Sequence, residues 1–256
     1  MTPAWKATSG GIGASLLAAV VFDAVPRLLR WIEVRGTISD ARSFFGAAFQ
    51  RGEGTLIAAQ WNASGGTEPQ GLMDAIDMMG LVDVARQLTI LFQQPIKICT
   101  DKGIDVDQGS SFVTFGLGNN LYAKLIGDYG RDRLFTWQFR SKAEDHIGFR
   151  DGKTMRGYSR TEDFDYGFVV RVVPAHHPAQ VWLLCGGANN HGTAGAGWYL
   201  SEHWRDLMND WRNLGSDLGP GTVCAALISV KPRELRSATP LQLEIEKLDK
   251  QGKSVP

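Results

Sequence analysis

Two short stretches concentrate the groups that could do chemistry in this chain. In each, a strand-like apolar run gives way to glycine and asparagine. The first, Gly116-Leu117-Gly118-Asn119-Asn120, follows Ser110 to Phe115. The second, Gly186-Gly187-Ala188-Asn189-Asn190-His191-Gly192-Thr193, follows Ala179 to Cys185. Glycines let backbone N–H groups approach a ligand, and the start of a following helix adds partial positive charge. Asparagine amides donate and accept, which suits a ribose or a base edge. The expected ligand-binding residues are therefore Gly116, Gly118, Asn119 and Asn120 in the first turn. In the second they are Gly186, Gly187, Asn189, Asn190, His191, Gly192 and Thr193. Trp198 is expected in the first turn of the following helix, placed to stack on a base.

The second stretch excludes two familiar nucleotide loops. Gly187 to Thr193 reads G-x-x-x-x-G-T, and a P-loop needs a lysine before the Ser/Thr to neutralise the β- and γ-phosphates. Nor is it the dinucleotide pattern G-x-G-x-x-G. A tight turn that simply feeds the helix is the structural alternative. Gly186-Gly187 followed by Gly192-Thr193 resembles, in a longer form, the Pro-Gly-Gly-x-Gly-Thr phosphate loop of the LOG/SLOG superfamily. That resemblance covers about a dozen residues and implies a Rossmann-like fold, with Gly186, Gly187, Gly192 and Thr193 in the phosphate-loop roles. Some members split nucleoside monophosphates at the glycosidic bond. Others sense NAD-derived or cyclic nucleotide signals in bacterial immunity. Ala194-Gly195-Ala196 stands where the enzymes carry a glutamate, so the resemblance implies ligand binding rather than hydrolysis.

Three residues are catalytic candidates. Glu162 and Asp165, with Asp163, form an acidic patch that could supply paired carboxylates for glycosidic chemistry. The alternative is a solvated hairpin turn. His191 could donate to a phosphate or act as a general acid. No Ser-His-Asp arrangement and no metal-ligand spacing is present, and Cys99, Cys185 and Cys224 lack a Cys-x-x-Cys pattern. No metal and no required cofactor is expected.

The elements that must carry these residues follow from periodicity. After Gly36, helix and strand alternate: Asp40 to Gln50, then Thr55 to Ala59, and again Asp83 to Gln93, then Ile96 to Cys99. Asp40 and Asp83 are expected helix N-caps. Such repetition favours a parallel sheet. Leu121 to Ile126 reads as a helix, and residues 129–173 as an antiparallel hairpin insertion. Leu200, Trp204, Leu207, Trp211 and Leu214 make one apolar helical stripe, with Gly215 as its cap. Gly221 to Val230 closes the sheet, and 241–256 reads as a charged tail. The fold class is α/β: an open, mainly parallel, Rossmann-like sheet over 37–240.

Residues 1–36 form a separate apolar unit. Gly10 to Phe22 is an unbroken run of small or apolar residues, shorter than the ~20 that span a membrane. A helix docking on a partner or on a second copy, a short membrane anchor over 10–29, and a signal peptide all fit. With 27 basic and 27 acidic side chains the chain has no net charge, which argues against nucleic-acid binding. The combined expectation is a cytoplasmic module, inner-membrane associated if 10–29 inserts. It senses a nucleotide-derived phosphate compound and signals to a protein partner. A nucleotide N-glycosidase and an oligomerisation scaffold are the alternatives.

Overall fold

The computed structural model describes residues 35–59, 75–101, 110–117, 120–130, 132–138 and 146–248. The apolar run 10–22, its docking or anchoring role, and Gly118 and Asn119 lie outside the described residues. The chain divides into units 1–40 and 41–256. The described part of the first, 35–40, is helical, and so are 41–45 (α1). In the second unit there follow α2 (Ala47–Gln50), β1 (Thr55–Ala58), α3 (Ala75–Phe92), β2 (Lys97–Thr100), β3 (Phe112–Phe115) and α4 (Leu121–Gly130). Next are β4 (Phe135–Gln138), β5 (His146–Asp151), β6 (Thr154–Ser159) and β7 (Asp165–Val173). The order closes with β8 (Trp182–Gly187), α5 (Asn190–Asn213), β9 (Thr222–Lys231) and β10 (Glu234–Lys247).

Seven strands form one sheet in the order β10-β9-β7-β8-β3-β1-β2. The side running β8-β3-β1-β2 is parallel, as the helix–strand alternation requires. The side running β10-β9-β7-β8 is antiparallel. The sheet is thus mixed: its centre around β2-β1-β3 is parallel, as expected, and antiparallel strands complete it. Pleating sends alternate side chains to opposite faces. Leu56, Val113, Val169, Leu183 and Cys185 face the core that also holds Phe44 and Phe45 with side chains of α3 and α5. Ile57, Phe112, Phe168, Val170 and Leu184 face a second core, shared with α4 and a small β4-β5-β6 sheet.

Three further boundaries differ from the sequence reading. Only β4–β6 form the insertion, because β7 sits in the main sheet between β8 and β9. The tail from 241 to Lys247 is strand, the second half of β10. Its glutamates are paired: Glu244 with Arg150, and Glu246 with Arg133 at 3.6 Å. Asp40 and Asp83 lie inside helices rather than at their starts. Asp83 is buried and faces Arg236 at 3.7 Å.

Two features set the position of α5. Its glycines bring it close to its neighbours: a Cβ on Gly197 would stand 2.7 Å from Gly80 Cα of α3, and one on Gly195 would collide with Val230 of β9. At the other end, the stripe from Leu200 through Trp204 and Leu207 to Trp211 is buried. Gly215, at φ +94°, ends the helix as expected. The fully buried Arg171 of β7 donates to Ser43 O, Phe44 O and Leu218 O at 2.8–3.1 Å. Its charge is answered by the carbonyl end of α1 rather than by a carboxylate. Burial lowers its pKa to about 10.

Candidate functional site

β3 and β8 are adjacent and parallel, so both glycine turns leave the sheet side by side at its carboxyl edge. Gly116 N–H donates to Cys185 O at 2.9 Å. Leu117 occupies the space a side chain on Gly186 would need, its Cδ2 only 2.5 Å from an added Cβ. The turns are one surface. Immediately beyond lies the reversal of strand order between β1 and β3, where open α/β sheets hold ligands.

The first turn is closed by its own asparagine. Gly116 takes φ +83°, a left-handed conformation that favours glycine. Asn120 is fully buried and sits just before α4. Its Nδ2 donates to Thr114 Oγ1 and Phe115 O, both at 2.8 Å. Its Oδ1 accepts from Tyr122 N at 2.9 Å and Ala123 N at 3.1 Å. This amide caps α4 and ties it to β3, so it is engaged by the protein rather than offered to a ligand. Leu121 N–H reaches across to Oδ2 of the buried Asp101, just past β2, at 3.3 Å.

The second turn is closed from a distance. Asn189 caps α5, its Oδ1 accepting from Asn190 N at 2.7 Å. Gly192 N–H, one of the donors a helix start leaves open, goes to Asp165 Oδ2 at 2.9 Å. Asp165 Oδ1 accepts from Tyr166 N at 2.8 Å. Asp165 is fully buried. Burial pushes its pKa up, against the two backbone donors and the nearby Arg160 charge, which pull it down. An internal carboxylate therefore holds the anion position that the sequence reading gave to a ligand phosphate.

The glycines follow the same logic. A Cβ on Gly192 would collide with Tyr166 O, one on Gly187 with Thr193 N, and one on Gly167 with Gly192 O. They admit the protein's own backbone at Gly167, Gly187 and Gly192. Sequence reasoning missed Gly167 as the third member. The signal was there: a glycine interrupting a strand marks close backbone approach.

The remaining candidates are dispersed. Glu162 is exposed before β7, while Asp165 is sealed beneath the turn, so the expected carboxylate pair does not share an open surface. Thr193 is buried, its N–H donating to Asn189 O at 3.1 Å. Trp198 lies two turns inside α5, not in its first turn, and meets the His203 ring edge-on at 5.4 Å. Asn189, Asn190 and His191 stay half-buried at the edge. His191 Nδ1 is buried and has no hydrogen-bond partner among the described residues. Among the described residues there is no group of three His, Cys, Asp or Glu that could hold a metal, and no helix long and apolar enough to cross a membrane. No protein-family model matches the chain, and no curated protein is similar to it.

Proposed function

We propose that this chain is a ligand-binding module for a nucleotide-derived phosphate compound, taken up at the carboxyl edge where the two glycine turns adjoin. The carrying observation is that adjacency: the turns following β3 and β8 lie side by side, next to the strand-order reversal between β1 and β3. The LOG/SLOG resemblance of Gly186-Gly187 and Gly192-Thr193 supports the same ligand class and, with it, a Rossmann-like ancestry and a signalling role toward a protein partner in bacterial defence. The half-buried Asn189, Asn190 and His191 are the groups of the second turn that can meet a ligand. The N-glycosidase alternative loses its buried acid, since Asp165 has no exposed surface.

Calorimetry with paired nucleosides and nucleoside monophosphates tests the reading. Saturable binding of at least one pair member is expected, with no base released on long incubation. Silence across the whole panel would overturn the module reading and favour a scaffold. Released base would restore the hydrolase.

A further inference from the structure

We propose that the segment from β6 to the start of β7 reads the ligand of this edge: Tyr158 and Tyr166 receive a planar ring, and Arg156 and Arg160 pair with its anionic substituent. The inference rests on the ligand reading above and assigns its recognition to residues outside both glycine turns.

Register places these groups together. Across the β5–β6 pair, Ile147 stands opposite Tyr158 and Phe149 opposite Arg156, and opposed residues share a face. Ile147 and Phe149 are fully buried in the core beneath the small sheet. Arg156 and Tyr158 therefore emerge on the face turned toward the main sheet. The Arg156 guanidinium lies 5.4 Å from the Tyr158 ring centroid, a cation–π arrangement. The Tyr158 and Tyr166 rings are 5.3 Å apart and tilted by 52°. Both tyrosines are half-buried and both arginines are exposed.

This segment is joined to the second glycine turn at two points. Ala188 N–H donates to Tyr166 O at 2.9 Å. Asp165, the residue before Tyr166, holds Gly192 N–H, and the Arg160 charge reaches Asp165. Because Asp165 already accepts the Gly192 N–H at the start of α5, that donor is taken. A ligand's phosphate needs partners elsewhere, and the nearby cations are Arg156, beside the Tyr158 ring, and Arg160, whose charge reaches Asp165. The buried, unpartnered His191 Nδ1 is a polar group of the turn still open to a hydrogen bond. A stacked ring with an arginine-paired phosphate uses chemistry that tolerates many bases.

The test uses the full chain and a panel of purine and pyrimidine monophosphates with their nucleosides. Arg156→Gln combined with Arg160→Gln should weaken the monophosphate roughly tenfold or more while leaving the nucleoside within about twofold. Tyr158→Leu should weaken both members of a pair by a similar factor, roughly tenfold. The exposed arginine variants should melt like the wild type, which separates recognition from folding. If the variants bind the monophosphate as the wild type does, the segment from β6 to β7 is no reader, although the edge remains a ligand site. If the wild type binds no panel member, the ligand reading falls and this assignment falls with it.

Discussion

The two glycine turns lie side by side on neighbouring strands, each leading into a helix and each carrying an asparagine pair in sequence, yet they are closed in different ways. At the first turn, the buried Asn120 does the work within six residues of chain, reaching back to Thr114 and forward to Ala123. At the second, Asn189 supplies one bond, and the decisive acceptor is Asp165, brought from the start of β7. The first turn is therefore a local structure, and the second is a tertiary junction. Such a junction couples β7, the segment leading into it from β6, and α5 to whatever happens at the edge, whereas the first turn only anchors α4.

The largest effect that separates them is steric. Sequence alone suggests that Gly192→Val lowers stability modestly. The packing reverses this, because a Cβ there would enter Tyr166 O and stand 3.1 Å from Gly187 Cα, both backbone atoms. β7 and α5 would have to part, at a cost of at least about 4 kcal/mol. Thermal melts should show loss of the cooperative transition. Gly116→Ala meets Ala59 Cβ at 3.3 Å and Asp77 Oδ2 at 4.0 Å, and pays mainly for its φ of +83°, about 1–2 kcal/mol. Equal costs at the two positions would remove the distinction between junction and local turn.

Next come the caps. Asn120→Ala removes the α4 cap and strands Thr114 Oγ1 in the interior, while Phe115 O keeps the Ala59 N–H, an expected loss of about 2–3 kcal/mol. Asn189→Ala removes one bond at a half-buried position, an expected loss of roughly 0.5–1 kcal/mol. Urea titrations of both variants measure the gap. A loss at Asn189 as large as that at Asn120 would make the second turn locally closed as well.

What could be read from the sequence divides along the same line. Local signals were legible. The alternation of β1, α3, β2 and β3, the core strand β8, the stripe from Leu200 to Trp211 and the glycine stop at Gly215 all follow from periodicity and turn chemistry. That both turns leave the same edge of the sheet followed from them, whereas their direct adjacency came from the pairing of β3 with β8. Features made by distant partners were not legible. Gly80 reads as a helix breaker, which hid the first turns of α3, yet it is where α5 crosses. The charges of β10 masked its period-two alternation, because Glu244 and Glu246 are paired by Arg150 and Arg133 from the insertion. Asp165 reads as a surface acid because its donors, Gly192 N and Tyr166 N, become partners only once β7 lies against α5.

The smallest effect is a change in a difference, and it belongs to Asp165. Its carboxyl pKa stands above the ordinary range because burial outweighs the two donors and the nearby charges. The folded state thus holds this proton more firmly than the unfolded chain does. The stability it contributes is fully present below the unfolded pKa and is lost as pH rises through the folded one. Asp165→Asn cannot titrate. Its amide can accept from one of the two backbone donors, but it turns its own N–H₂ toward the other, so the variant starts less stable at low pH. As pH rises above the ordinary carboxylate range, the wild type alone loses stability, and the deficit of the variant should shrink, then level off. Asn120→Ala supplies the reference, since its amide has no proton to lose. Melting temperatures of wild type and both variants across the acidic range and up to neutrality decide the matter. A deficit at Asp165 that stays constant or widens with pH would mean that the N–H donors of Gly192 and Tyr166 outweigh burial. The second turn would then be an anion site built for its own carboxylate, held as firmly as the first turn holds Asn120.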